Sequence, residues 1–361
     1  MNATISTYWR GLANGSRRGL GECLLLAFLV PLSLPYSLTQ RLRAGMYRAG
    51  VLKTNRLPRP VVSIGNITVG GTGKTPVTAW VARFLMSHGA KVAVLSRGYG
   101  GSLEGRTAIV SDGHKLLLTA EECGDEPFLL AKNVPGLMVA IGADRHAAGM
   151  LALEHLSPEI FLLDDGFQHL RLQRDMNILL LDFAKPFGNG WTLPAGLLRE
   201  PRSAALRADW IIYTRCDDTI LNIPGLDLIP QTSSRHRLCN LFPLSGGRPL
   251  PFEVLTDKSL IAFAGIAEPD RFFNDLRKLA KGVVRTLSLP DHTPYDHGTI
   301  GTITAMMRDS GADYAVTTEK DAVKLKQLPP DLASRILVAQ LELQLDGADP
   351  LTGDLLKLLQ K

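Results

Sequence analysis

The chain has 361 residues, of which 45% are hydrophobic and 21% are charged, and its formal net charge is +5. Such a chain is long enough for two domains with separate cores, and its composition is ordinary for a soluble or peripheral protein. Residues 1–60 carry nine basic residues and a single acid, Glu22. The basic balance therefore belongs to the N-terminus. This excludes a nucleic-acid-binding face spread along the chain, and we expect no nucleic-acid partner.

The cysteine pattern indicates a reducing compartment. The four cysteines are widely spaced and form no C-x-x-C pair: Cys23, Cys123, Cys216 and Cys239. Such spacing is typical neither of a zinc site nor of a disulfide framework, and it favours a cytosolic protein.

The most lipophilic run lies in residues 20–34, and residues 23–30 are its unbroken apolar core. This core is shorter than the roughly 20 residues that span a bilayer, and Pro31 and Pro35 are expected to interrupt the chain directly after it. Basic residues flank the run on both sides, which argues against a signal peptide. We interpret residues 1–55 as a helical segment in the membrane interface, with its apolar face in lipid and its arginines against anionic headgroups. The alternative is an amphipathic helix packed on the protein.

A glycine-rich loop follows the first predicted strand, residues 60–64. Residues 65–76 read Gly-Asn-Ile-Thr-Val-Gly-Gly-Thr-Gly-Lys-Thr-Pro, and apolar residues at helical spacing come next. Glycine N–H groups can surround phosphate oxygens, Lys74 can neutralise the outer phosphates, and Thr75 can bind Mg²⁺. A strict P-loop has glycine at the position of Thr68, but the strand–loop–helix frame still predicts a nucleotide site. The predicted ATP-binding residues are Thr68, Val69, Gly70, Gly71, Thr72, Gly73, Lys74 and Thr75.

Strands and helices alternate along the middle of the chain. Further strands are predicted at residues 91–96, 159–163, 177–182 and 210–214, with a helix at residues 144–156. This alternation is typical of a parallel sheet with helices on both faces. The sequence thus predicts an α/β fold of the P-loop NTPase type over residues 56–235.

Residues 218–258 lose this alternation and are rich in proline, glycine and short polar runs, so we place a domain boundary there. A second series of strands and helices follows and predicts a smaller α/β domain over residues 236–361. Its predicted strands are residues 260–264, 283–289, 314–317 and 336–339, and its predicted helices are residues 270–280 and 299–310.

An apolar strand downstream of the P-loop ends in two carboxylates, Asp164 and Asp165. Carboxylates at this place can hold Mg²⁺ beside Thr75, directly or through water, as in a Walker B motif. Gln168 and His169 follow on the same loop, where they can orient substrate or metal-bound water. For His169 a purely structural role in the turn is equally open.

Several other polar side chains follow predicted strands, where the ligands of open α/β sheets bind. Asp125 can act as a general base, although the residues alone favour a solvated acidic loop over residues 124–127. His292 can meet that carboxylate across a cleft, although the residues alone favour a surface histidine. Arg199 can neutralise a transferred phosphoryl group and Glu200 can reach a metal, or the two can form an exposed ion pair. Further candidates at strand ends are Arg97, Tyr99 and residues 317–321.

Taken together, these motifs resemble those of one family, the tetraacyldisaccharide 4′-kinases, which are the lipid A 4′-kinases of Gram-negative bacteria. The match runs through residues 65–325 in the family's order, and threonine at position 68 is the family's own form of the loop. The matching stretches are residues 65–76, 96–100, 124–127, 164–169, 198–201, 291–292 and 317–325.

The resemblance implies a kinase that uses ATP and Mg²⁺ to phosphorylate the 4′-hydroxyl of a tetraacyl disaccharide 1-phosphate, which forms lipid IVA. It implies a peripheral location on the cytoplasmic face of the inner membrane, with the acylated substrate and the anionic membrane surface as partners. The oligomeric state stays open, and a monomer is compatible with the sequence.

The resemblance also implies roles for individual residues. Asp125 corresponds to the catalytic base and His292 to its partner, which predicts that closure of the two domains assembles the site. Lys74 and Arg199 act on the phosphates. The implied metal-site residues are Thr75, Asp164, Asp165 and Glu200, and the implied supporting residues are Arg97, Tyr99, Gln168 and His169.

Two other classes of protein compete with this interpretation. P-loop ATPase switches that partition chromosomes or deliver metals share the Gly-Gly-x-Gly-Lys-Thr loop, but a signature lysine precedes it where this chain has Val69. A non-catalytic nucleotide-binding adaptor at a membrane would not need a complete set of Mg²⁺ carboxylates. Both features favour the kinase.

Overall fold

The computed structural model describes residues 3–16, 19–216, 223–291, 293–325 and 328–360. The strands in these residues are β1 (Val61–Asn66), β2 (Val92–Ser96), β3 (Ala108–Asp112), β4 (Met138–Ile141), β5 (Ile160–Asp164), β6 (Met176–Asp182), β7 (Trp210–Thr214), β8 (Gln231–Pro243), β9 (Leu260–Ala264), β10 (Val283–Ser288), β11 (Tyr314–Thr318) and β12 (Ile336–Asp346). The α-helices are α1 (Ala3–Ala13), α2 (Leu20–Arg48), α3 (Lys74–Ser87), α4 (Ala120–Cys123), α5 (Asp125–Asn133), α6 (Arg145–Leu156), α7 (Pro269–Leu279), α8 (His297–Ser310), α9 (Glu319–Ala322), α10 (Pro330–Ala333) and α11 (Asp349–Leu358). Each strand predicted from the sequence is present, although β12 is longer than expected.

All described strands belong to one sheet, in the order β10-β9-β11-β12-β8-β7-β6-β1-β5-β2-β4-β3. Among them, β3 with β4 and β8 with β12 pair antiparallel, and the other neighbours are parallel. Strand β1 lies between β5 and β6. Helices α3 and α5 pack on one face and α6 packs on the other, which confirms the predicted α/β class. The loop after β1 and the carboxylates after β5 therefore meet at the same edge of the sheet, where ligands bind in such folds.

Strand β8 corrects the expectation of an irregular stretch over residues 218–258. It pairs with β7 on one side and with β12 on the other, so the sheet continues through the expected domain boundary at residues 235/236. Its first half is polar and yet buried. Thr232 donates a hydrogen bond to the backbone carbonyl of Asp346, and Ser233 donates one to the carboxylate of the same residue. Paired hydroxyls remove the cost of burial, and the strand consequently lacks the apolar pattern that would have predicted it.

Helix α11 joins the C-terminal part of the chain to the P-loop half. Leu351, Leu355 and Leu358 are buried in the same apolar cluster as residues from α3 and β1. The indole of Trp210 in β7 donates to the carboxylate of Asp354 at 3.1 Å. The core beneath the P-loop is thus completed by the last described helix.

Helix α2 corrects the expectation for the N-terminal apolar run. It continues without a break from Leu20 to Arg48, with Pro31 and Pro35 inside it. Its 29 residues give a length of about 43 Å, and an 18-residue window has a mean hydropathy of 1.5 with 6% of the window buried. By length and composition alone, this helix could cross a membrane. The helix tolerates the prolines because each of them removes only one backbone hydrogen bond. Packing and strong helix-forming residues stabilise the turns before and after them.

The two sides of α2 differ in their surroundings. At mid-helix, the buried hydroxyl of Ser33 donates to the carbonyl of Thr192 at 2.9 Å, and Tyr36 donates to the carbonyl of Arg199 at 3.0 Å. The opposite side exposes large apolar side chains at helical spacing, which we call the apolar stripe. The apolar stripe consists of Leu20, Leu24, Phe28, Leu34, Leu38 and Leu42.

Candidate active site

The loop after β1 has the backbone geometry of a phosphate cradle. Gly70 and Gly73 have φ angles of 125° and 76°, which other residues rarely adopt. Gly73 is the N-cap of α3, so the N–H groups of the first helical turn face the loop. A Cβ at position 73 would also lie 2.6 Å from the ring of His236. Both constraints require glycine there.

The first turn of α3 places Lys74 beside the acidic pair. Its Nζ lies 3.7 Å from Oδ1 of Asp165, and Nη1 of Arg199 lies 2.9 Å from Oδ2 of the same carboxylate. Burial pushes the pKa of Asp165 up, but the charges of Lys74 and Arg199 hold it below its usual value. An ionised carboxylate thus keeps two cations together at the end of the P-loop.

Asp164 has the opposite electrostatic environment. It is buried, and it accepts a hydrogen bond from the hydroxyl of Thr78 at 3.1 Å. Burial, followed by the charges of Glu126 and Asp165, raises the pKa of Asp164 to about 7. The protein's own cations therefore compensate this carboxylate incompletely, and a bound divalent cation would supply the missing positive charge.

The donor set fits Mg²⁺. Thr75, Asp164 and Asp165 all line the same cavity and offer oxygen ligands, and Oδ1 of Asp165 is buried without a hydrogen-bond partner. In the part of the chain that the structure describes, no three His, Cys, Asp or Glu side chains form a complete metal cluster. Nucleotide-bound Mg²⁺ typically takes one or two carboxylates and completes its shell with waters and phosphates, so this partial set suits it.

The segment that carries Arg199 lies against the P-loop. The N–H of Val69 donates to the carbonyl of Leu197 at 2.8 Å, and Thr68 forms an isolated β-bridge with Leu198. This pairing explains how Arg199 reaches the acidic pair from a distant part of the sequence. Thr68 does not line the cavity, and its observed role is in this backbone pairing.

Glu200 is bound by an arginine. Its side chain is buried, and its two oxygens accept hydrogen bonds from Arg207 at 2.7 and 2.9 Å. The guanidinium of Arg207 also lies over the ring of Phe167, 4.8 Å from the centroid. Glu200 does not line the cavity, and its metal role stays a prediction.

The acidic residues at the start of α5 face two lysines from the C-terminal half. The sequence predicts a loop around Asp125, but this residue begins α5, directly after Gly124 with a φ of 90°. Gly124 is both the C-cap of α4 and the N-cap of α5. Because the two helices are short and meet at a glycine, their sequence pattern resembles that of a loop. Nζ of Lys324 lies 3.6 Å from Oδ2 of Asp125, and Nζ of Lys320 lies 3.7 Å from Oε1 of Glu126.

The loop after β5 is fixed by its neighbours. Nε2 of Gln168 donates to the carbonyl of Asn66 at 2.7 Å. Burial, followed by the charge of Arg145, lowers the pKa of His169 to about 4, so its ring is neutral near pH 7. Arg145 itself is buried, donates to the carbonyl of Gly142 at 2.9 Å, and has no hydrogen-bond partner at Nε. Sequence reasoning missed Arg145, although its position just after β4 was the available signal.

These groups surround a cavity of about 1510 Å³, larger than the roughly 300–1000 Å³ typical of a single small ligand.

Arg97 pairs with Glu104 at 3.7 Å on the exposed rim. Asp125 does not line the cavity, and His292 lies outside the described residues. The predicted residues that line it are Val69, Gly70, Gly71, Thr72, Gly73, Lys74, Thr75, Arg97, Tyr99, Asp164, Asp165, Gln168, His169 and Arg199. From the predicted stretch 317–321, Thr318, Glu319 and Lys320 also line the cavity. Lining residues missed by sequence reasoning include Arg43, Arg145, Arg215, His236 and Arg271.

Known proteins resemble this chain in both sequence and structure. A family model described as tetraacyldisaccharide-1-P 4′-kinase matches residues 25–360. The tetraacyldisaccharide 4′-kinase of Pelobacter propionicus is 58% identical over 361 residues and covers 100% of both chains. That of Geobacter metallireducens is 52% identical over 337 residues, 93% of this chain and 99% of the relative. A crystal structure of LpxK from Aquifex aeolicus in complex with ATP has a TM-score of 0.78 and 34% identity, and the match covers 93% of this chain and 99% of that one.

Proposed function

Because the chain belongs to the tetraacyldisaccharide-1-P 4′-kinase family, we propose that its cavity transfers the γ-phosphate of ATP to the 4′-hydroxyl of tetraacyldisaccharide 1-phosphate. The product is lipid IVA, an intermediate of lipid A biosynthesis. The observation that carries the proposal is the meeting of Lys74, Asp165 and Arg199 at the end of the P-loop. Two cations held by one carboxylate suit phosphoryl transfer, in which charge on the transferred group must be neutralised.

The nucleotide phosphates bind in the loop between β1 and α3. Backbone N–H groups of residues 70–75 surround them, and Lys74 neutralises the outer phosphates. Thr75, Asp164 and Asp165 would hold Mg²⁺, which supplies positive charge to the phosphate oxygens when bound. The structural neighbour from Aquifex aeolicus was solved with ATP, which supports the nucleotide assignment.

Asp125 acts as the general base. It accepts the proton of the 4′-hydroxyl as the sugar oxygen bonds to phosphorus and the bond to ADP breaks. Its place in the first turn of α5 supports this role, because the N-terminal end of a helix favours an ionised carboxylate. His292 is its proposed partner by resemblance to the family, and movement of the C-terminal half would bring the acceptor and the base together.

Helix α2 lies in the interface of the inner membrane, on its cytoplasmic face, and does not cross the bilayer. Ser33 and Tyr36, at mid-helix, are hydrogen-bonded to the protein body, so a spanning orientation would carry that body into hydrocarbon. The apolar stripe on the opposite side suits lipid contact. Tyr36 and Arg43 also line the cavity, which would therefore open beside the membrane that holds the acylated substrate.

The test is an assay of the purified protein with ATP, Mg²⁺ and detergent-dispersed tetraacyldisaccharide 1-phosphate. We expect a product with one added phosphate at the 4′ position, identified by mass spectrometry and NMR. An acceptor without the 4′-hydroxyl is the matched control and should stay unmodified. ATP hydrolysis without 4′-phosphorylation would contradict the kinase proposal.

A further inference from the structure

We propose that Lys324 is a positioning residue for the reaction: its ammonium group orients the carboxylate of Asp125 and keeps it ionised, so that the carboxylate can accept a proton. The inference rests on the proposed function, because it assigns a role to a residue that contacts the proposed base. It adds a second contribution from the C-terminal half of the chain, beside that of His292.

Lys324 is anchored on its own side of the contact by Asp321. Asp321 is fully buried and accepts hydrogen bonds from the N–H of Gly265 at 3.0 Å and from the hydroxyl of Thr318 at 2.7 Å. Its other oxygen lies 3.4 Å from Nζ of Lys324. The ammonium is also 5.5 Å from the ring centroid of Tyr295. These contacts hold the lysine in place independently of Asp125.

The ammonium of Lys324 is directed across to α5. Its Nζ is buried, has no hydrogen-bond partner, and lies 3.6 Å from Oδ2 of Asp125. A distance of 3.6 Å is too long for a hydrogen bond, so the lysine acts on the carboxylate through its charge. A buried ion pair is often no more stable than an apolar pair of similar volume. The pair is therefore better explained by control of the charge of Asp125 than by stability.

Other groups also act on Asp125: Lys320 interacts with it through its charge, and His292 is its proposed partner. Nζ of Lys320 lies 3.0 Å from Asp291 and 3.7 Å from Glu126. Burial acts to lower the pKa of Lys320, but Glu126 and Asp291, followed by Asp125, raise it above its usual value. On the α4 side, burial raises the pKa of the Cys123 thiol to about 12, so this group stays neutral. Asp321 and Glu126 add negative charge nearby, and the ammonium of Lys324, 3.6 Å from Oδ2 of Asp125, compensates part of it.

The test compares pH–rate profiles of the full-length wild type, Lys324→Met, Lys324→Arg and Lys278→Met. Removing a cation next to a carboxylate makes that carboxylate more basic, so the acid limb of kcat for Lys324→Met should move up by about one pH unit. We expect kcat on the acid limb to fall by up to about 10-fold, with KM for ATP unchanged. Lys324→Arg keeps the charge and should keep the wild-type acid limb. Lys278 is exposed and pairs with Asp275 at 2.8 Å, so Lys278→Met is the matched control and should behave as wild type.

The outcomes separate this inference from the proposed function. If the wild type makes no 4′-phosphate, the proposed function fails; if it does and Lys324→Met leaves the acid limb in place, the role of Lys324 fails. Asp125→Asn with Lys324→Met should be no slower than Asp125→Asn alone, and a multiplied loss would show that the lysine acts elsewhere. If Lys324→Met does not fold, Lys324→Met with Asp321→Asn removes the uncompensated buried charge and should show the same shift of the acid limb.

Discussion

Two sides of the cavity are built in different ways. The P-loop wall (residues 69–75 with Asp164 and Asp165) depends on backbone geometry, with Gly73 capping α3. The α5 wall (Glu126 and Lys320 at the cavity, with the adjacent pair of Asp125 and Lys324) depends on ion pairs between the two halves of the chain. Backbone geometry is specified locally, whereas an ion pair between distant segments exists only when both are in place. The comparison indicates a P-loop wall that forms on its own and an α5 wall that depends on contact between the halves.

The largest expected effect is on the α5 wall. Asp125→Asn should lower kcat about 10²- to 10⁴-fold, because it removes the proposed general base. Nucleotide affinity should be unchanged, since the P-loop wall is untouched; product formation and isothermal calorimetry with ATP measure the two. Glu126→Gln is the matched control on the same helix and should lose much less activity. Weaker ATP binding with normal turnover at saturation would indicate a structural role for Asp125 and would remove the distinction between the walls.

On the P-loop wall, Lys74→Met should affect binding and turnover together. The lysine neutralises phosphate charge in both the ground state and the transition state, so we expect kcat/KM for ATP to fall about 10²- to 10³-fold. The nucleotide Kd should rise, as measured by calorimetry. A variant with reduced kcat and unchanged Kd would show that Lys74 acts only in the transition state. Substitutions on the two walls would then have the same kind of effect, on turnover and not on nucleotide binding.

A smaller effect is expected for the apolar stripe of α2, which lies outside both walls. Leu38→Glu removes roughly 2 kcal/mol of apolar burial in lipid and should weaken association with anionic vesicles about 30-fold in a sedimentation assay. Activity on a detergent-dispersed acceptor should be retained. Leu116→Glu changes an exposed leucine elsewhere on the surface and is the control. Equal vesicle binding by both variants would contradict the interfacial assignment of α2.

The smallest effect concerns His236, which packs against Gly73. Burial, followed by the charges of Arg215 and Arg271, lowers the pKa of His236 to about 3, against about 6.5 in an unfolded chain. Between these values the unfolded chain binds more protons, so stability that is fully present above about pH 6.5 is lost as the pH falls toward 3. His236→Gln should reduce the decrease in Tm between pH 7 and pH 5, measured by calorimetry. An unchanged pH dependence would show that this histidine is not buried in its neutral form.

Sequence reasoning succeeded where the signal is local. The apolar strands β1 and β5 are wholly buried, and the glycines of the P-loop and the carboxylates after β5 follow them directly. Because parallel strands bring their carboxyl ends to one edge, the meeting of Lys74 with Asp165 could be expected from the pattern alone.

The rest depends on contacts between distant segments. Strand β8 is polar and is stabilised by its partner β12, so its own residues carry little strand signal. The pairs Lys324–Asp125 and Arg207–Glu200 join residues whose proximity follows only from the folded sheet. Helix α2 continues past two prolines because docking of Ser33 and Tyr36 supports it, and no rule about prolines in isolated helices anticipates that support.

The packing of α11 against α3 has a consequence for synthesis. Leu351, Leu355 and Leu358 cover an apolar surface that includes Val81 and Leu85. Translation makes α2 and the P-loop half first and α11 after every other described element. The nascent chain therefore exposes two apolar surfaces at the same time. Lipid can cover the apolar stripe of α2 early, whereas the face of α3 is covered only once α11 has been made. Until α11 has been translated, the part of the α3 surface that it covers stays open to water.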